Sequence, residues 1–457
     1  MAHVVIIGGG PGGYEAALVA RRLGAQVTLV ERDGLGGAAV LTDVVPSKAL
    51  IAVAEAAIDA RGSGVIGVHT GNITVDLADV NARLLTWAAS QSADIERRMS
   101  AEGVTVVHGV ARLRSATEVD IAPHTGQPYS VDADTVLIAT GARPRVLPGA
   151  EPDGRRILTW KQLYELPELP EHLIVVGSGV TGAEFAGAYQ ALGTQVTLVS
   201  SRDRMLPSED EDAASVIEDV VGQRGMQVLG RSRAQAVSAT DNGVIVTLAD
   251  GSSLSGSHCL MAVGSLPNVE DIGLQTAGVD LDDRGFIQVD SVSRTSARGV
   301  YAAGDCTGVF LLASVAAMQG RIAMNHALGD AVRPLRLDTV SSNVFTDPEI
   351  ATVGVSQADV QAGRENAVSV MLPLATNARA KMQGISKGFV KIFAQPDSGI
   401  VVGGVVVAPK ASELIFPIAL AVEHRLTVDD MAHTYTVYPS LSGSIAEAAR
   451  RLHQPGS

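Results

Sequence analysis

Two clusters of glycine residues have the spacing that lets a protein backbone come close to a phosphate group. They share the pattern G-x-G-x-x-G, with its glycines at Gly8, Gly10, Gly13, Gly177, Gly179 and Gly182. In this pattern the first glycine permits a tight turn, the second admits a pyrophosphate, and the third lets a helix pack closely against a strand. The N-terminus of that helix favours the negative charge. One such cluster could be a packing turn only, whereas two complete copies predict two dinucleotide-binding sites.

The two copies differ at the end of the strand that follows the helix. Glu31 occupies this position in the first copy, and Ser200 occupies it in the second. A carboxylate accepts hydrogen bonds from the ribose hydroxyls of FAD or NAD, and it would repel a 2′-phosphate. Segment 200–204, SSRDR, instead offers hydroxyls and two cations that suit a 2′-phosphate. We therefore expect NADPH to be accepted at the second site with NADH still usable; the alternative is a polar loop with incidental arginines.

The glycines are positioned by a repeated strand–helix–strand unit. HVVIIGGGPGGYEAALVARRLGAQVTLV begins at His3, and HLIVVGSGVTGAEFAGAYQALGTQVTLV begins at His172. The two align without gaps, and each ends in the strand QVTLV. A different, mixed α+β region is predicted from about residue 336 onward, with apolar segments at 389–393 and 400–407 and helices near 410–425 and 442–452. The predicted fold is therefore α/β, with two Rossmann-like domains and a C-terminal α+β domain.

Composition excludes several classes of protein. At 457 residues the chain is long enough for two or three domains of ~150 residues each. A net charge of −14 and a pI near 5.2 argue against a nucleic-acid partner. Two cysteines are too few for a disulfide-rich scaffold or a four-cysteine metal centre, and no metal site is expected. Because no signal-peptide pattern and no run of 18 apolar residues were found, we expect a cytoplasmic protein without integral membrane association.

Longer motifs extend this pattern through the chain. They are GGGPGGYEAA at the first cluster, LGG…PSKAL at 35–50, ATGARP at 139–144, GSGVTGAEFA at 177–186, RTSARGVYAAGDC at 294–306, FTDPEIATVG at 345–354 and NARAKMQG at 377–384. With these motifs the chain resembles the pyridine nucleotide-disulphide oxidoreductases typified by dihydrolipoamide dehydrogenase. The resemblance implies FAD at the first site, NADPH or NADH as co-substrate at the second, and a homodimer. It implies an FAD domain at 1–148 and 271–335, an NAD(P) domain at 149–270 and a dimerisation domain at 336–457.

The resemblance also assigns roles to individual residues. Glu31 would hold the adenosine ribose of FAD and Asp305 its ribityl chain, while Lys48 and Glu184 would form an ion pair beside the flavin. Lys48 also stands out in the sequence itself, because lysine is scarce and apolar residues follow it. Besides the first glycine cluster, the other expected FAD contacts are Arg32, Gly36, Gly37, Ala38, Ala111, Thr140, Gly141 and Ala313. Besides the second cluster, Glu184 and Ser200, the expected NAD(P) contacts are Ser178, Val180, Thr181, Ser201, Arg202, Arg204, Val263 and Gly264.

The chain departs from the family pattern at its thiol chemistry. Members that reduce disulfides carry G-G-x-C-x-x-x-x-C-x-P-S-K, but here Ala39 and Val44 stand where the two cysteines belong. They also carry a His-Pro and a glutamate that activate the thiol in the partner subunit. Tyr438 and Gly443 stand at those positions. The joint loss of all four residues indicates a different reaction from disulfide reduction.

The remaining thiol and imidazole candidates do not replace the missing relay. Cys259 and Cys306 form no C-x-x-C pair and are typical small core residues. His433 lies near Tyr438 in sequence but out of register with the family histidine.

The resemblance is therefore to the cysteine-less quinone reductases of this family. The expected reaction is FAD-dependent transfer of electrons from NAD(P)H to a quinone. Ala39 and Val44 would line the acceptor face, and Tyr438 would stack on a quinone or donate a hydrogen bond to it. Two alternatives remain: a soluble pyridine nucleotide transhydrogenase, and a catalytically silent flavoprotein that serves as a redox sensor or subunit. The sequence leaves open which quinone is used and whether oxygen competes with it.

Overall fold

The first glycine cluster lies in a seven-stranded sheet. In the computed structural model, which describes residues 1–453, the sheet has the order β17-β6-β1-β2-β3-β4-β5. Its strands, numbered along the chain, are β1 His3–Ile7, β2 Gln26–Glu31, β3 Thr105–Leu113, β4 Glu118–Pro123, β5 Tyr129–Asp132, β6 Thr135–Ile138 and β17 Val300–Ala302. The five strands from β17 to β3 are parallel, and β4 and β5 add an antiparallel extension. Because β17 pairs with β6, chain on both sides of the second glycine cluster builds this one sheet.

Helices cover this sheet and set the environment of its central strand. They are α1 Pro11–Arg22, α2 Gly37–Leu41, α3 Val44–Gly62, α4 Leu77–Ala101, α8 Leu274–Ala277 and α9 Ala313–Ala327. Val4 and Ile6 of β1 join one core cluster, and Val5 and Ile7 join another. Successive side chains of a strand point to opposite faces, so β1 is buried on both sides. This explains the uninterrupted apolar run of the strand.

The second glycine cluster lies in a separate parallel sheet of order β11-β10-β9-β15-β8. Its strands are β8 Ile157–Leu158, β9 His172–Val176, β10 Gln195–Val199, β11 Gln227–Leu229 and β15 His258–Met261. An antiparallel sheet and a two-stranded ribbon accompany it, formed by β12 Ala234–Thr240, β13 Gly243–Leu248 and β14 Ser253–Gly256, and by β7 Ala142–Pro144 and β16 Ser265–Pro267. The helices are α5 Trp160–Leu163, α6 Val180–Leu192 and α7 Glu211–Gln223.

The C-terminal region forms an antiparallel sheet of order β18-β19-β22-β21-β20. Its strands are β18 Ser341–Val344, β19 Glu349–Gly354, β20 Val368–Pro373, β21 Phe389–Ala394 and β22 Val401–Ala408. The helices are α10 Gln357–Gln361, α11 Ala378–Met382, α12 Ala411–Leu414, α13 Phe416–His424, α14 Val428–His433 and α15 Gly443–Leu452. The α/β fold class predicted from the sequence is therefore confirmed, including the mixed C-terminal region.

One helix boundary differs from the sequence expectation. A single helix was expected near 410–425, but α12 ends at Leu414 and α13 begins at Phe416. Pro417 lies in the first turn of α13, where its missing N–H group costs nothing. Inside one continuous helix the proline ring would clash with the preceding turn. The chain therefore starts a new helix at this point.

One helical stretch of the described chain, 37–66, is long and apolar enough to cross a membrane by length and composition. Its most apolar window has a mean hydropathy of 1.5, and a third of that window is buried in the protein. A core helix of a water-soluble protein passes the same test, so this stretch is weak evidence for a membrane. Asp43 and Lys48 interrupt its apolar residues, so it contains no uninterrupted run of 18.

Candidate functional site

Both glycine clusters form the same turn between a strand and a helix. A side chain at Gly8 or Gly177 would collide with a backbone carbonyl of the neighbouring strand connection. A side chain at Gly13 would collide with the carbonyl of Gly8, so the helix packs tightly on the strand end. The middle residue, Gly10, has open space where a side chain would be, and so has its counterpart Gly179. Each turn is therefore closed on the protein side and open on the side where a pyrophosphate would lie.

Glu31 is buried and holds the first glycine turn in place. Its carboxylate accepts hydrogen bonds from the Gly9 N–H at 2.5 Å and from the Asp33 N–H at 2.8 Å. Gly9 in turn accepts a hydrogen bond from the N–H of Gly36, at 2.8 Å. The loop that leads to α2 is thus tied to the glycine turn. Arg32 is exposed and pairs with Asp33 instead of facing this turn.

The other expected FAD contacts are distributed over four segments around the same sheet. Gly36 and Gly37 adopt positive φ angles of 92° and 56°, and the Cβ position of Gly37 lies 3.0 Å from the Cα of Gly10. Thr140 follows β6 and donates a hydrogen bond to the carbonyl of Asn268 at 2.7 Å. The remaining expected residues occupy a helix, a strand or a loop of this sheet, namely Ala38 in α2, Ala111 in β3, Gly141 after Thr140 and Ala313 at the start of α9.

Asp305 opens a short 3₁₀ helix directly after β17. Burial raises the pKa of its carboxyl to about 6, and the nearby charge of Asp43 adds to the shift. The turn before it is fixed by Gln319, which accepts a hydrogen bond from the Gly304 N–H at 2.8 Å. A poorly solvated carboxyl on a rigid turn is suited to accept hydrogen bonds from the hydroxyls of a bound ligand.

Lys48 and Glu184, 136 residues apart in sequence, form the ion pair that the resemblance implied. The ammonium of Lys48 lies 2.7 Å from the carboxylate of Glu184, whose side chain is 4% exposed. The second oxygen of Glu184 accepts a hydrogen bond from the N–H of Phe345 at 2.9 Å. Lys48 also lies 4.9 Å from the centre of the Phe345 ring. Three separate segments therefore meet at this pair, carried by α3, α6 and the strand connection after β18.

Phe345 and Asp43 are two residues of this region that the sequence reading missed. Phe345 opens FTDPEIATVG, one of the motifs that carry the family resemblance, and no local pattern marks it as a contact of the ion pair. Asp43 is the one charged residue between Asp33 and Lys48, and it directly precedes Val44. A charged group in so apolar a stretch was the signal available in the sequence.

The second glycine turn differs from the first in its hydrogen bonds. The hydroxyls of Ser178 and Ser200 lie 2.7 Å apart, and both side chains are buried. Ser200 also donates to the carbonyl of Arg204 at 3.0 Å. Ser201 and Arg202 are exposed, whereas the guanidinium of Arg204 is held by α7. The other expected nucleotide contacts lie at the helix start or after β15, and they are Val180, Thr181, Val263 and Gly264.

The residues at the two family cysteine positions lie in different helices, and the two cysteines of the chain are buried elsewhere in the sequence. Ala39 is in α2, and Val44 is the first residue of α3. Cys259 and Cys306 are both free and buried, and burial raises the pKa of Cys259 to about 12 and that of Cys306 to about 11. Such thiols are poor nucleophiles, because the thiolate is the reactive form.

Tyr438 lies on an exposed C-terminal segment. Its side chain is 86% exposed, and Tyr435 and Val437 beside it are exposed as well. Asn377 fixes the following turn by donating to the Ser440 carbonyl at 3.0 Å and to the Ser444 hydroxyl at 2.8 Å. Within residues 1–453 of one protomer, no hydrogen bond joins Tyr438 to Lys48 or Glu184. His433 ends α14 and bonds to the Asp429 carbonyl.

This fold and this site define a two-dinucleotide oxidoreductase, and comparison with known families agrees. The family model for pyridine nucleotide-disulphide oxidoreductases matches residues 2–320, and its dimerisation domain matches residues 340–449. The chain belongs to the pyridine nucleotide-disulphide oxidoreductase family, as its motifs predicted, and it is an oxidoreductase of that family.

Individual relatives cover essentially the whole chain. An NAD(P)H dehydrogenase (quinone) of Mycobacterium tuberculosis H37Rv is 53% identical over 98% of this chain and 94% of its own. A dihydrolipoyl dehydrogenase of Chlorobaculum tepidum is 35% identical over 98% and 96%. The crystal structure of LpdA from Mycobacterium tuberculosis superposes with a TM-score of 0.96, covering 99% of this chain and 100% of that one at 53% identity.

Proposed function

We propose that this protein is an FAD-dependent NAD(P)H:quinone oxidoreductase that passes electrons to its acceptor without a redox disulfide. The observation that carries the proposal is the Lys48–Glu184 ion pair, formed at 2.7 Å next to a loop whose cysteine positions hold Ala39 and Val44. The ion pair is the part of the family site that would serve electron transfer from the nucleotide to the flavin. The loop has no cysteines, so it cannot form the redox disulfide. The name of the 53% identical mycobacterial relative supports the same reaction.

The residues of the first site fit FAD. The glycine turn is open only at Gly10, a buried Glu31 adjoins it, and the carboxyl of Asp305 is poorly solvated on a fixed turn. When bound, the flavin supplies the two-electron chemistry that connects a nicotinamide to an acceptor. Gly10 and the N-terminus of α1 would then bind the pyrophosphate. Asp305 would orient the ribityl chain, and Lys48 would lie at the reactive edge.

The nucleotide site favours NADPH with NADH still accepted. Within residues 1–453 Arg202 has no ion-pair partner, and it is exposed beside Ser201. Arg204, in contrast, lies 3.4 Å from Glu211 and 3.7 Å from Glu218. Ser200 is buried against Ser178. We therefore assign the 2′-phosphate to Ser201 and Arg202, and give Ser200 and Arg204 the role of shaping the loop.

The acceptor side is proposed to lie between two protomers. The exposed segment around Tyr438 carries a large aromatic surface that a second copy of the chain would cover. In a homodimer, Tyr438 of one subunit would contact the acceptor bound at the flavin of the other. We retain the domain division at 1–148 with 271–335, 149–270 and 336–457, and a cytoplasmic location, as parts of this proposal.

A panel of acceptors tests the reaction. The purified protein with FAD is given NADPH and then benzoquinone, menadione, lipoamide or thionicotinamide nucleotide, with and without prior thiol alkylation. Quinone turnover that is insensitive to alkylation is the expected result. Dominant transfer to the thionicotinamide nucleotide would favour a transhydrogenase. A flavin that NADPH does not bleach would favour a silent flavoprotein and refute the proposal.

A further inference from the structure

Asp43 places a carboxyl group in the otherwise apolar loop that replaces the family disulfide. The loop runs from Gly36 through α2 to the start of α3. The residues before and after Asp43 in this loop are uncharged. The N–H of Asp43 donates to the carbonyl of Ala38 at 2.8 Å, which closes the end of α2. Val44, at the position of a family cysteine, follows immediately. The carboxyl therefore belongs to the loop whose cysteine positions hold Ala39 and Val44, beside the proposed flavin site.

A structural role as helix cap does not account for this side chain. Asp43 is the N-cap residue of α3, but its carboxylate makes no capping hydrogen bond. A capping side chain normally accepts from the N–H of the second or third helical residue. The third helical residue here is Pro46, which has no N–H group. The carbonyl of Asp43, rather than its side chain, accepts from the N–H of Ser47 at 2.9 Å.

In the part of the chain that the structure describes, Asp43 forms no ion pair, although lysines lie near it. Lys48 on the same helix is already paired with Glu184 of α6 at 2.7 Å. Asp305, from the turn after β17, is a second carboxyl near Asp43. The remaining titratable neighbours are on or next to α5, and they are Lys161 and Tyr164. Three carboxyl groups therefore face two lysines, one of which is already engaged.

We propose that Asp43 is the proton donor to the acceptor: its carboxylic acid delivers a proton to one oxygen of a quinone as the quinone is reduced. The proposal rests on the quinone reductase function proposed above. Reduction of a quinone to a hydroquinone takes two electrons and two protons. NAD(P)H supplies two electrons with one hydrogen, and the O–H bond of Asp43 breaks to supply the other proton. The resulting carboxylate regains its proton from water before the next turnover.

The protonation state of Asp43 agrees with this role. Burial raises the pKa of its carboxyl, the charge of Glu184 raises it further, and the charges of Lys48 and Lys161 lower it. The net direction is upward, so the acid form extends to higher pH than for an ordinary aspartate. Because the donor is the acid form, the proton-transfer step is fast below the pKa of Asp43 and is lost as the pH rises through it.

The test compares Asp43→Asn with the matched control Asp59→Asn, which alters an exposed aspartate on the same helix. Each FAD-loaded variant is reduced by NADPH and offered benzoquinone or ferricyanide; ferricyanide takes single electrons and no proton. Infrared difference spectra between the oxidised unmodified protein and each oxidised variant isolate the carbonyl stretch of the carboxyl that was replaced, apart from that of Asp305. We expect Asp43→Asn to remove that band, to lower benzoquinone turnover about 100-fold and to abolish its pH dependence, with ferricyanide turnover unchanged. Asp59→Asn should match the unmodified protein.

Two results would overturn the role of Asp43. Benzoquinone turnover with the original pH profile in Asp43→Asn would show that another group supplies the proton. An equal fall with both acceptors would show that Asp43 supports the flavin site structurally. The proposed function itself would be refuted by a different result, namely if the unmodified protein reduced ferricyanide but no quinone. The infrared band would then show only whether Asp43 is protonated, and its role as donor to a quinone would fall with the function.

Discussion

The hydroxyls of Ser178 and Ser200 lie 2.7 Å apart in the second nucleotide unit, at the positions that Gly9 and Glu31 hold in the first. In the first unit a small residue leaves room for a carboxylate, which accepts the backbone N–H of Gly9. In the second unit the serine pair fills the same space with a hydrogen bond between two hydroxyls. The two units therefore differ by a pair of residues and not by Glu31 against Ser200 alone.

The Ser178–Ser200 pair predicts which substitutions would shift the preference from NADPH towards NADH. Ser200→Glu alone would force a carboxylate against the Ser178 side chain, whereas Ser178→Gly with Ser200→Glu recreates the arrangement of the first unit. We expect the double variant to lower kcat/KM for NADPH relative to NADH by about 10- to 100-fold, which corresponds to opposing a charge-assisted contact worth roughly 1–3 kcal/mol. Steady-state kinetics with both nucleotides measure this ratio. Ser178→Gly alone is the control, and an unchanged ratio in the double variant would place the ribose elsewhere.

The Lys48–Glu184 ion pair predicts that a single and a double substitution affect the free energy of unfolding and the rate of flavin reduction differently. Lys48→Met leaves the buried carboxylate of Glu184 without its counterion, which should lower the free energy of unfolding by about 3–5 kcal/mol. Lys48→Met with Glu184→Gln removes both charges and should recover most of this loss, while flavin reduction by NADPH stays slow. Urea unfolding and stopped-flow bleaching measure the two effects. If the double variant regains the original bleaching rate, the pair has only a structural role.

A second buried ion pair joins the C-terminal sheet to α7. The ammonium of Lys391 lies 2.8 Å from Asp210 and 2.7 Å from Asp212, with Lys391 and Asp210 almost fully buried. Lys391→Met should destabilise the protein by about 3–5 kcal/mol, because Asp210 is left as an unpaired buried charge. The matched control is Lys387→Met, which breaks an exposed pair with Asp219 and should shift the urea midpoint far less, because solvent screens that pair. Equal shifts of the two urea midpoints would contradict this.

The raised pKa of Asp305 predicts that the free energy of unfolding depends on pH. Its pKa is raised to about 6 in the folded protein, so the folded state binds this proton more tightly than the unfolded state does. Stability from this group is therefore present at low pH and lost as the pH rises through about 4 to 6. Relative to the unmodified apoprotein, Asp305→Asn should gain up to roughly 3 kcal/mol across that window while binding FAD more weakly. Asp250→Asn, where the carboxyl pKa is lowered, should show a pH dependence of the opposite sign.

Much of the fold could be predicted from the sequence because its signals are local and repeated. The two strand–glycine–helix units, the strand at 389–394 and the helix at 443–452 each carry their own apolar pattern. The Lys48–Glu184 contact was expected through the family resemblance, since nothing local relates residues 136 positions apart. The break before Pro417 differs from the single helix expected, because the apolar residues on both sides of the proline favour helix.

The rest of the site depends on tertiary contacts that no local pattern reports. The burial of Ser200 against Ser178 requires the turn and the strand end to meet in space. Phe345 reaches Glu184 from a segment 161 residues away. Among the described residues Asp43 forms no ion pair, and Lys48 on the same helix is paired with Glu184, which is visible only when α3 and α6 are packed together. Residue types predicted the chemistry, and packing determined which groups can perform it.

The four replaced relay residues give the last prediction, which concerns the acceptor. A disulfide reductase stores an electron pair on two sulfurs and releases it through a thiol that a base activates. Ala39→Cys with Val44→Cys restores only the storage, so lipoamide turnover should stay negligible. Adding Tyr438→His and Gly443→Glu restores the base as well; a side chain at Gly443 would meet no atom closer than 3.6 Å, so the change fits the start of α15.

We expect the fourfold variant to exceed the double variant in lipoamide turnover by about 100-fold, the lower range for general acid–base catalysis. The unmodified protein should reduce benzoquinone but not lipoamide, and alkylation of reduced protein should leave its rate unchanged, because Cys259 and Cys306 are buried and poorly ionised. Coupled assays with NADPH and either acceptor measure all three proteins under the same conditions. Lipoamide turnover in the unmodified protein comparable to its quinone turnover would contradict the assignment, because no pair of thiols in this chain is available to carry it.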